Sequence, residues 1–251
     1  MTPTGLSTAT VTRARQDVHT SGVPVVCQSC EARHRGMCGA LEPDELTALA
    51  RSTHKALHRA GTAIVGEGQE VHSYANVMNG VVKLSKVLED GRQQLVGLQF
   101  APDFVGRLFG EESAVTAEAA SDVELCVVSR ATLERMVAES PALGQRLMRQ
   151  TLRELDEARD WMLTLGRKTA LERVASFVYR IAVNRDPETV PEDGATFDLP
   201  LSRTEMADFL GLTIETVSRQ LSKLRRIGIV QLHGTRGIEV FDLGALAELC
   251  G

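Results

Sequence analysis

Short apolar runs alternate with turn residues between about residues 57 and 128. The runs that read as strands are Ala63–Val65, Val81–Leu84, Gln94–Leu98 and Val123–Val128. Turn residues separate them at nearly even intervals, at Gly61, Gly66, Gly68, Asn79, Gly80, Gly91 and Pro102. Regular short strands with glycine turns are typical of an all-β sandwich or barrel. This stretch therefore predicts a β domain.

From Ser129 onward the apolar spacing becomes that of a helix. Ser129 is a suitable cap for a short helix through Val137, and a long helix is predicted over about 141–165. The long helix carries one apolar stripe, made of Met148, Leu152, Leu155, Ala158, Met162 and Leu165. By itself the stripe fits either packing against the chain's own β domain or a coiled seam between two chains. A helix over 170–181 and a polar linker over 184–196 follow.

Two short helices around a tight turn are predicted next. Ser202 and Glu205 have the spacing of a capping box, which begins a helix, and Gly211 ends that helix. Thr213 caps a second helix over 214–227. Two helices joined by a short turn that contains glycine predict a helix-turn-helix.

The second helix has two distinct faces. Val217, Leu221 and Leu224 form an apolar face, while the other face presents side chains that can read base edges: Glu215, Ser218, Arg219 and Ser222. Two β-like runs, 229–232 and 238–241, then predict a hairpin wing. An ordinary helical bundle with a solvated basic face is the alternative, but caps, turn, faces and wing together favour DNA binding. The residues predicted to contact DNA are Arg203, Thr213, Glu215, Thr216, Ser218, Arg219 and Lys223.

Composition qualifies this picture. The 251 residues carry 28 basic and 33 acidic side chains, a net charge of −5, which disfavours a general nucleic-acid coat protein. The average conceals a local patch, because residues 217–238 hold five basic side chains and no acidic one. The sequence has neither an apolar stretch long enough to span a membrane nor the apolar core of a signal peptide. We therefore expect a cytoplasmic protein of two domains with no membrane partner.

The chain contains five cysteines, three of them within twelve residues. An odd number without a secretion signal argues against a disulfide framework and favours a metal site or redox chemistry. One enzymatic hypothesis is a C-x-x-C thiol oxidoreductase. That motif usually lies at a helix N-terminus in a βαβ unit, whereas here it precedes an all-β region, so the sequence does not predict an enzyme.

The segment LSRTEMADFLGLTIETVSR, residues 201–219, resembles the winged-helix signature of the CRP/FNR superfamily of transcription regulators. The β region and long helix follow that family's order from about residue 25 to the end. The resemblance implies an α+β fold: an N-terminal, jelly-roll-like β-roll sensor domain, a long dimerisation helix and a C-terminal winged helix-turn-helix. The expected divisions are an N-terminal tail and cluster-binding loop over 1–39, the β-roll over 40–140, the dimerisation helix over 141–166 and the DNA-binding domain over 167–251. The resemblance also implies a homodimer that contacts RNA polymerase, which favours the two-chain seam.

The superfamily divides by sensor. Members that bind cyclic nucleotides share a cassette with Gly-Glu-Leu and a later Arg-Ser-Ala. The corresponding residues 103–114 have no carboxylate directly after Gly106 and no arginine before Ser113, so cAMP is not expected as a ligand.

In the FNR branch, three N-terminal cysteines and one on a β-roll strand bind an oxygen-labile [4Fe-4S] cluster. The resemblance assigns these roles to Cys27, Cys30, Cys38 and Cys126, with a C-x2-C-x7-C spacing like that of the FnrL subgroup. Four thiolates are what a cubane cluster requires. Structural zinc, with His34 as a possible substitute ligand, and inert or redox-active thiols remain alternatives. Cys250 is left over.

The predicted function is that of an oxygen-responsive transcription regulator. The resemblance implies binding to a palindromic TTGAT-type DNA site at low oxygen, through Glu215, Ser218 and Arg219, and activation of genes for anaerobic or microaerobic metabolism. The alternative is a cluster-free, FixK-like or ligand-binding regulator of the same superfamily.

Overall fold

The computed structural model describes residues 24, 27, 30–185 and 194–251. The fold is mixed α and β, with an N-terminal β domain, a long helix and a C-terminal helix-turn-helix, as predicted. The predicted N-terminal tail and most of the predicted polar linker lie outside the described residues. The first elements are helix α1 (Glu31–His34), a 3-10 turn (Met37–Ala40) and helix α2 (Pro43–Arg51).

The β domain consists of two antiparallel four-stranded sheets, ordered β1-β8-β3-β6 and β2-β7-β4-β5. Their apolar faces meet in a core that includes Val77, Val82 and Leu125. The strands are β1 (Thr53–His58), β2 (Ala63–Val65), β3 (Ser73–Asn79), β4 (Val82–Val87), β5 (Gln93–Gln99), β6 (Phe104–Val105), β7 (Thr116–Ala119) and β8 (Val123–Ser129).

Only four of these strands, β2, β4, β5 and β8, match runs that the sequence pattern identified. Strand β1 is largely polar: Ala56 and Leu57 are its apolar residues, and Leu57 is exposed. Strand β3 is mostly buried but has polar residues at both ends and a buried Asn76 in the middle. Neither strand shows an apolar run, which is why hydrophobicity alone missed them. Strand β7 (Thr-Ala-Glu-Ala) and the two-residue β6 are too short to give a period.

Two helices connect the β domain to the rest of the chain. Helix α3 (Arg130–Glu139) is capped as predicted, since the Ser129 hydroxyl accepts a hydrogen bond from the Thr132 amide at 3.2 Å. Helix α4 (Pro141–Arg167) begins with proline, which suits a first turn. In the described part of the chain, none of the helices combines the length and apolarity that crossing a bilayer requires.

The C-terminal domain packs helices on a small sheet ordered β10-β11-β9. The predicted hairpin wing therefore has a third strand, which begins in the last two residues of the predicted linker and pairs with β11. At the other end of that linker, Asn184 is helical. The elements are α5 (Ala170–Arg185), β9 (Ala195–Asp198), α6 (Arg203–Leu210), α7 (Ile214–Arg226), β10 (Val230–His233), β11 (Gly237–Val240) and α8 (Leu243–Glu248).

A polar contact joins the two domains. The ammonium of Lys83, on β4, lies 2.7 Å from Glu118 on β7 and 2.5 Å from Glu205 on α6. Burial would raise the pKa of Glu205, but hydrogen bonds from Lys83 and Ser202 lower it to about 2. The side-chain amide of Gln94 also donates to the Asp208 carbonyl at 2.7 Å. The β domain thus holds the first helix of the helix-turn-helix directly.

Candidate metal centre and nucleic-acid interface

Four of the five cysteines line one small cavity. Cys27, Cys30 and Cys38 come from the N-terminal segment and Cys126 from β8, although nearly ninety residues separate Cys38 from Cys126. Apolar side chains of α2 and β3 complete much of the wall: Leu46, Leu49, Ala50 and Met78. The fold therefore brings together the four residues that the sequence assigned to a cluster. Their role as ligands remains a prediction.

Strand alternation directs Cys126 toward this cavity. Its neighbours Leu125 and Val127 line a different cavity, inside the β-roll, because successive side chains of a strand point to opposite faces. In the register of the sheet, Cys126 lies between Lys55 of β1 and Asn76 of β3. A cysteine one position earlier or later would face the interior of the roll.

Local backbone structure positions the other three cysteines. The Cys27 amide donates to the Pro24 carbonyl at 2.8 Å, and the Arg33 amide donates to the Cys30 carbonyl at 3.0 Å. The 3-10 turn then buries Cys38 beside Met37, which is only 1% exposed. The three residues are therefore held in compact turns.

Burial and the proximity of the other thiols raise the pKa values of the cysteines in this cavity. Burial raises the pKa of Cys27 to about 11, with Cys30 and Cys126 adding to the rise and Arg33 opposing it. Burial also raises the pKa of Cys38, and the other three cysteines raise it further. The pKa of Cys126 is raised by burial, while a hydrogen bond with Thr53 opposes the rise.

The chemistry of the donor set fits an iron–sulfur cluster. Four thiols in one largely apolar cavity match the ligand number of a cubane. Asn76 lines the same cavity at 1% exposure, and its side-chain oxygen has no hydrogen-bond partner within the described structure. Among the described residues, no group of three or more His, Cys, Asp or Glu side chains is arranged to hold a metal ion. His34 does not line the cavity. Hydrophobic patterning could not identify Asn76 or Thr53, since their position depends on strand pairing.

Cys250 does not line this cavity. Its thiol donates to the Leu246 carbonyl at 3.3 Å, and it lines a cleft with Lys168 and Ser176. This placement separates it from the four clustered cysteines, as the sequence suggested by leaving it over.

The loop that corresponds to a nucleotide cassette is tied to the chain's own side chains. The Tyr74 hydroxyl donates to Glu134 at 2.7 Å and accepts from the Phe109 amide at 3.1 Å. Gly106 packs so closely on Tyr74 that a Cβ there would lie 2.6 Å from the ring. These contacts hold residues 106–109 against Tyr74 of β3. The expectation that cAMP is not bound stays a prediction.

The helix-turn-helix has the predicted caps. The Ser202 hydroxyl accepts from the Glu205 amide at 3.3 Å, and the Glu205 carboxylate accepts from the Ser202 amide at 2.8 Å. Gly211 ends α6 with φ 61° and ψ 43°, a left-handed conformation that glycine adopts at little cost. The Thr213 hydroxyl then caps α7 by accepting from the Thr216 amide at 3.2 Å.

Helix α7 presents a polar face to solvent. Its opposite face, Val217, Leu221 and Leu224, is buried in the core of the domain. Most of the predicted DNA-contacting residues are exposed, namely Thr213, Glu215, Ser218, Arg219 and Lys223. Thr216 is half-buried and accepts from the Arg219 guanidinium at 3.1 Å. This face can enter a major groove.

Arg203 differs from the other predicted contacts. It is half-buried, and one guanidinium nitrogen lies 3.6 Å from the Met206 sulfur. Burial lowers its pKa. It lies at the start of α6 rather than on α7. Its predicted role in DNA binding is untested.

The apolar stripe of α4 faces solvent in the single chain. Met148 is 62% exposed, Leu155 44% and Met162 73%. Leu152 and Ala158 are also exposed, whereas Leu165 is half-buried. Leu143 and Leu147, nearer the start of the helix, are buried and pack on the chain itself. Packing of the stripe against the chain's own β domain is therefore the wrong interpretation for five of its six members.

Two family descriptions match separate parts of the chain. Residues 57–140 match the cyclic nucleotide-binding domain family, and residues 172–249 match the Crp-like helix-turn-helix domain family. The two matches correspond to the β-roll and the C-terminal domain described above.

Relatives cover nearly the whole chain. A probable transcriptional activator of Rhizobium leguminosarum bv. viciae is 52% identical over 94% of this chain and 98% of its own length. The transcriptional activator protein FnrL of Cereibacter sphaeroides is 42% identical over 90% of this chain and 92% of its own. Among solved structures, FixK2 from Bradyrhizobium japonicum is similar with a TM-score of 0.70 and 34% identity, over 79% of this chain and 98% of that one.

Proposed function

Because the chain belongs to the CRP/FNR family of transcription regulators, we propose that it is an oxygen-responsive regulator that depends on a [4Fe-4S] cluster. The observation that supports this most directly is the single cavity lined by Cys27, Cys30, Cys38 and Cys126. When bound, the cluster supplies an oxygen-labile connection between the N-terminal segment and strand β8. The four cysteines hold the segment against the β domain.

The exposed stripe of α4 is the proposed dimerisation surface. A second copy would cover Met148, Leu152, Leu155, Ala158 and Met162, since a large apolar patch on a protein surface usually marks an interaction site. Leu165 continues the same stripe at its end. A twofold dimer places two α7 helices in successive major grooves, about 34–36 Å apart, which fits a palindromic site.

We propose that three side chains of α7 recognise the DNA bases. Glu215, Ser218 and Arg219 are exposed on one face and match the set implied for a TTGAT half-site. Arginine pairs with guanine and glutamate accepts from cytosine. Thr213, Thr216, Lys223 and Arg203 are proposed to contact the backbone. We propose that the bound dimer contacts RNA polymerase and activates genes of anaerobic or microaerobic metabolism, which places its action in the cytoplasm.

A cluster-free regulator of the FixK type is the second candidate. It is favoured by the 34% identity and TM-score of 0.70 with FixK2. The two candidates differ in whether the four cysteines are needed for DNA binding.

Anaerobic purification tests the proposal. We expect a coloured protein that contains about four iron and four sulfide ions per chain. Its affinity for a TTGAT palindrome, measured by fluorescence anisotropy at fixed salt, should fall after exposure to oxygen. A colourless protein with one zinc ion per chain would contradict the proposal. So would a protein whose affinity for DNA does not change on exposure to oxygen.

Replacing Arg219 by alanine tests the reading face. Loss of a bidentate contact to guanine should weaken binding by about 1–3 kcal/mol. The loss should concentrate at one base pair, so single-base variants of the palindrome should separate the wild type from Arg219→Ala. Arg225→Ala, at an exposed site near the end of α7, is the matched control. An equal loss on scrambled DNA would instead assign Arg219 to phosphate.

A further inference from the structure

A side chain of the long helix binds the cysteine segment from outside the four-cysteine set. Arg146 of α4 donates from Nε to the Gly36 carbonyl at 3.0 Å and from Nη2 to the Arg35 carbonyl at 2.5 Å. Both acceptors lie between Cys30 and Cys38 in the sequence. The contact joins parts of the chain that are 110 residues apart.

Apolar packing strengthens the same junction. Leu143 and Leu147 flank Arg146 on α4 and are buried. They share one core cluster with residues of the cysteine segment, namely Cys30, Met37 and Cys38. The segment also turns tightly here, because a Cβ on Gly39 would lie only 2.8 Å from the Arg33 carbonyl. The start of α4 and the cysteine segment thus form one packed unit.

We propose that Arg146 is a positioning residue that couples the cysteine segment to the dimerisation helix. This rests on the proposed function. The guanidinium is a planar group whose donors have fixed relative directions, so two bonds from one arginine define an orientation as well as a distance. Met148, the first member of the exposed stripe, lies two positions further along the same helix.

The coupling follows from the location of the two acceptors. While Cys30 and Cys38 are tied to Cys126, the carbonyls of Arg35 and Gly36 are held where Arg146 meets them. When that tie is lost, the acceptors can move, and a half-buried guanidinium without acceptors is unfavourable. Helix α4 then changes position relative to the β domain, and the exposed stripe moves with it. The tie and the dimer contact are therefore linked, each favouring the other.

The test measures this linkage rather than activity. Dimer dissociation constants are determined by sedimentation equilibrium for the full-length wild type, Arg146→Gln and Arg149→Gln, each cluster-loaded under anaerobic conditions and each iron-free. The ratio of the two constants measures the coupling. Arg146→Gln should retain wild-type absorbance and iron content but reduce the ratio about tenfold. Arg149→Gln, at an exposed site on the same helix, should keep the wild-type ratio.

The outcomes separate a coupling role from a structural one. If Arg146→Gln leaves the ratio of the two dissociation constants unchanged, the inference is wrong. Equal weakening of the loaded and iron-free dimers would then mean that the arginine only stabilises the helix. Arg146→Lys keeps the charge without the planar fork and should give an intermediate ratio, and it decides the question alone if Arg146→Gln does not fold. A wild type that binds no cluster contradicts the proposed function itself. If the wild type binds a cluster but both Arg146→Gln and Arg146→Lys keep its ratio of dissociation constants, only this inference is contradicted.

Discussion

Replacing Cys126 by serine should abolish the cluster and weaken operator binding by roughly 100-fold, while replacing Cys250 by serine should change neither. Cys126 is the cavity cysteine that the β domain contributes, so its loss detaches the N-terminal segment even with the other three thiols intact. Serine is close to cysteine in size, which should leave the pairing of β8 with β1 and β3 undisturbed. The expected loss is therefore one of coordination rather than of fold.

The measurement combines iron and sulfide analysis, anaerobic absorbance and DNA binding on the same preparations. Cys250→Ser is the matched control, because Cys250 is also half-buried but lies beside Ser176 and Lys168. Circular dichroism checks that both variants fold. Retention of a full cluster in Cys126→Ser would disprove the ligand set. Loss of the cluster with unchanged DNA binding would favour the FixK-type alternative.

Replacing Leu155 by glutamate should prevent dimerisation of the cluster-loaded protein. Leu155 lies in the middle of the exposed stripe, so a twofold seam would place two carboxylates together in an apolar contact. A residue at the centre of an interface commonly contributes about 2–4 kcal/mol, which corresponds to a roughly 30- to 1,000-fold weaker dimer. A monomer offers one reading helix instead of two, so affinity for the palindrome should fall as well.

Sedimentation equilibrium under anaerobic conditions gives the dimer constant directly. Arg149→Glu supplies the comparison, because it introduces the same side chain on the polar face of α4 at an exposed position. Circular dichroism should show the same secondary structure in both variants, since Leu155 is already 44% exposed in the single chain. Dimerisation of Leu155→Glu at the wild-type strength would place the interface elsewhere.

The sequence predicted those parts of the fold that depend on local pattern. The Ser202–Glu205 capping box, the left-handed Gly211 and the buried face of α7 all arise from neighbours in the chain, and the structure has them in place. Strand β3 was missed because Asn76 interrupts its apolar pattern. That residue is buried beside Cys126, where packing across the sheet outweighs its low strand propensity.

Contacts between distant segments were beyond the reach of pattern. The four cysteines could be grouped only by resemblance, since no spacing rule connects Cys38 with a strand some ninety residues later. Arg146 reads as an ordinary polar residue on an amphipathic helix, and only the folded chain shows it bound to the cysteine segment. The ion pair between Lys83 and Glu205 is of the same kind, joining two domains across 122 residues.

The alternation of side chains along β8 has a consequence for how variants of the sensor domain will behave. Leu125 and Val127 form part of the wall of the interior cavity of the β-roll, while Cys126 lines the cysteine cavity on the other side of the same sheet. Only the backbone of the sheet separates the two cavities. A bulkier side chain at Leu125 would displace strand β8 and with it the Cys126 thiol. A substitution that fills the interior cavity of the roll should therefore also disturb the cysteine cavity.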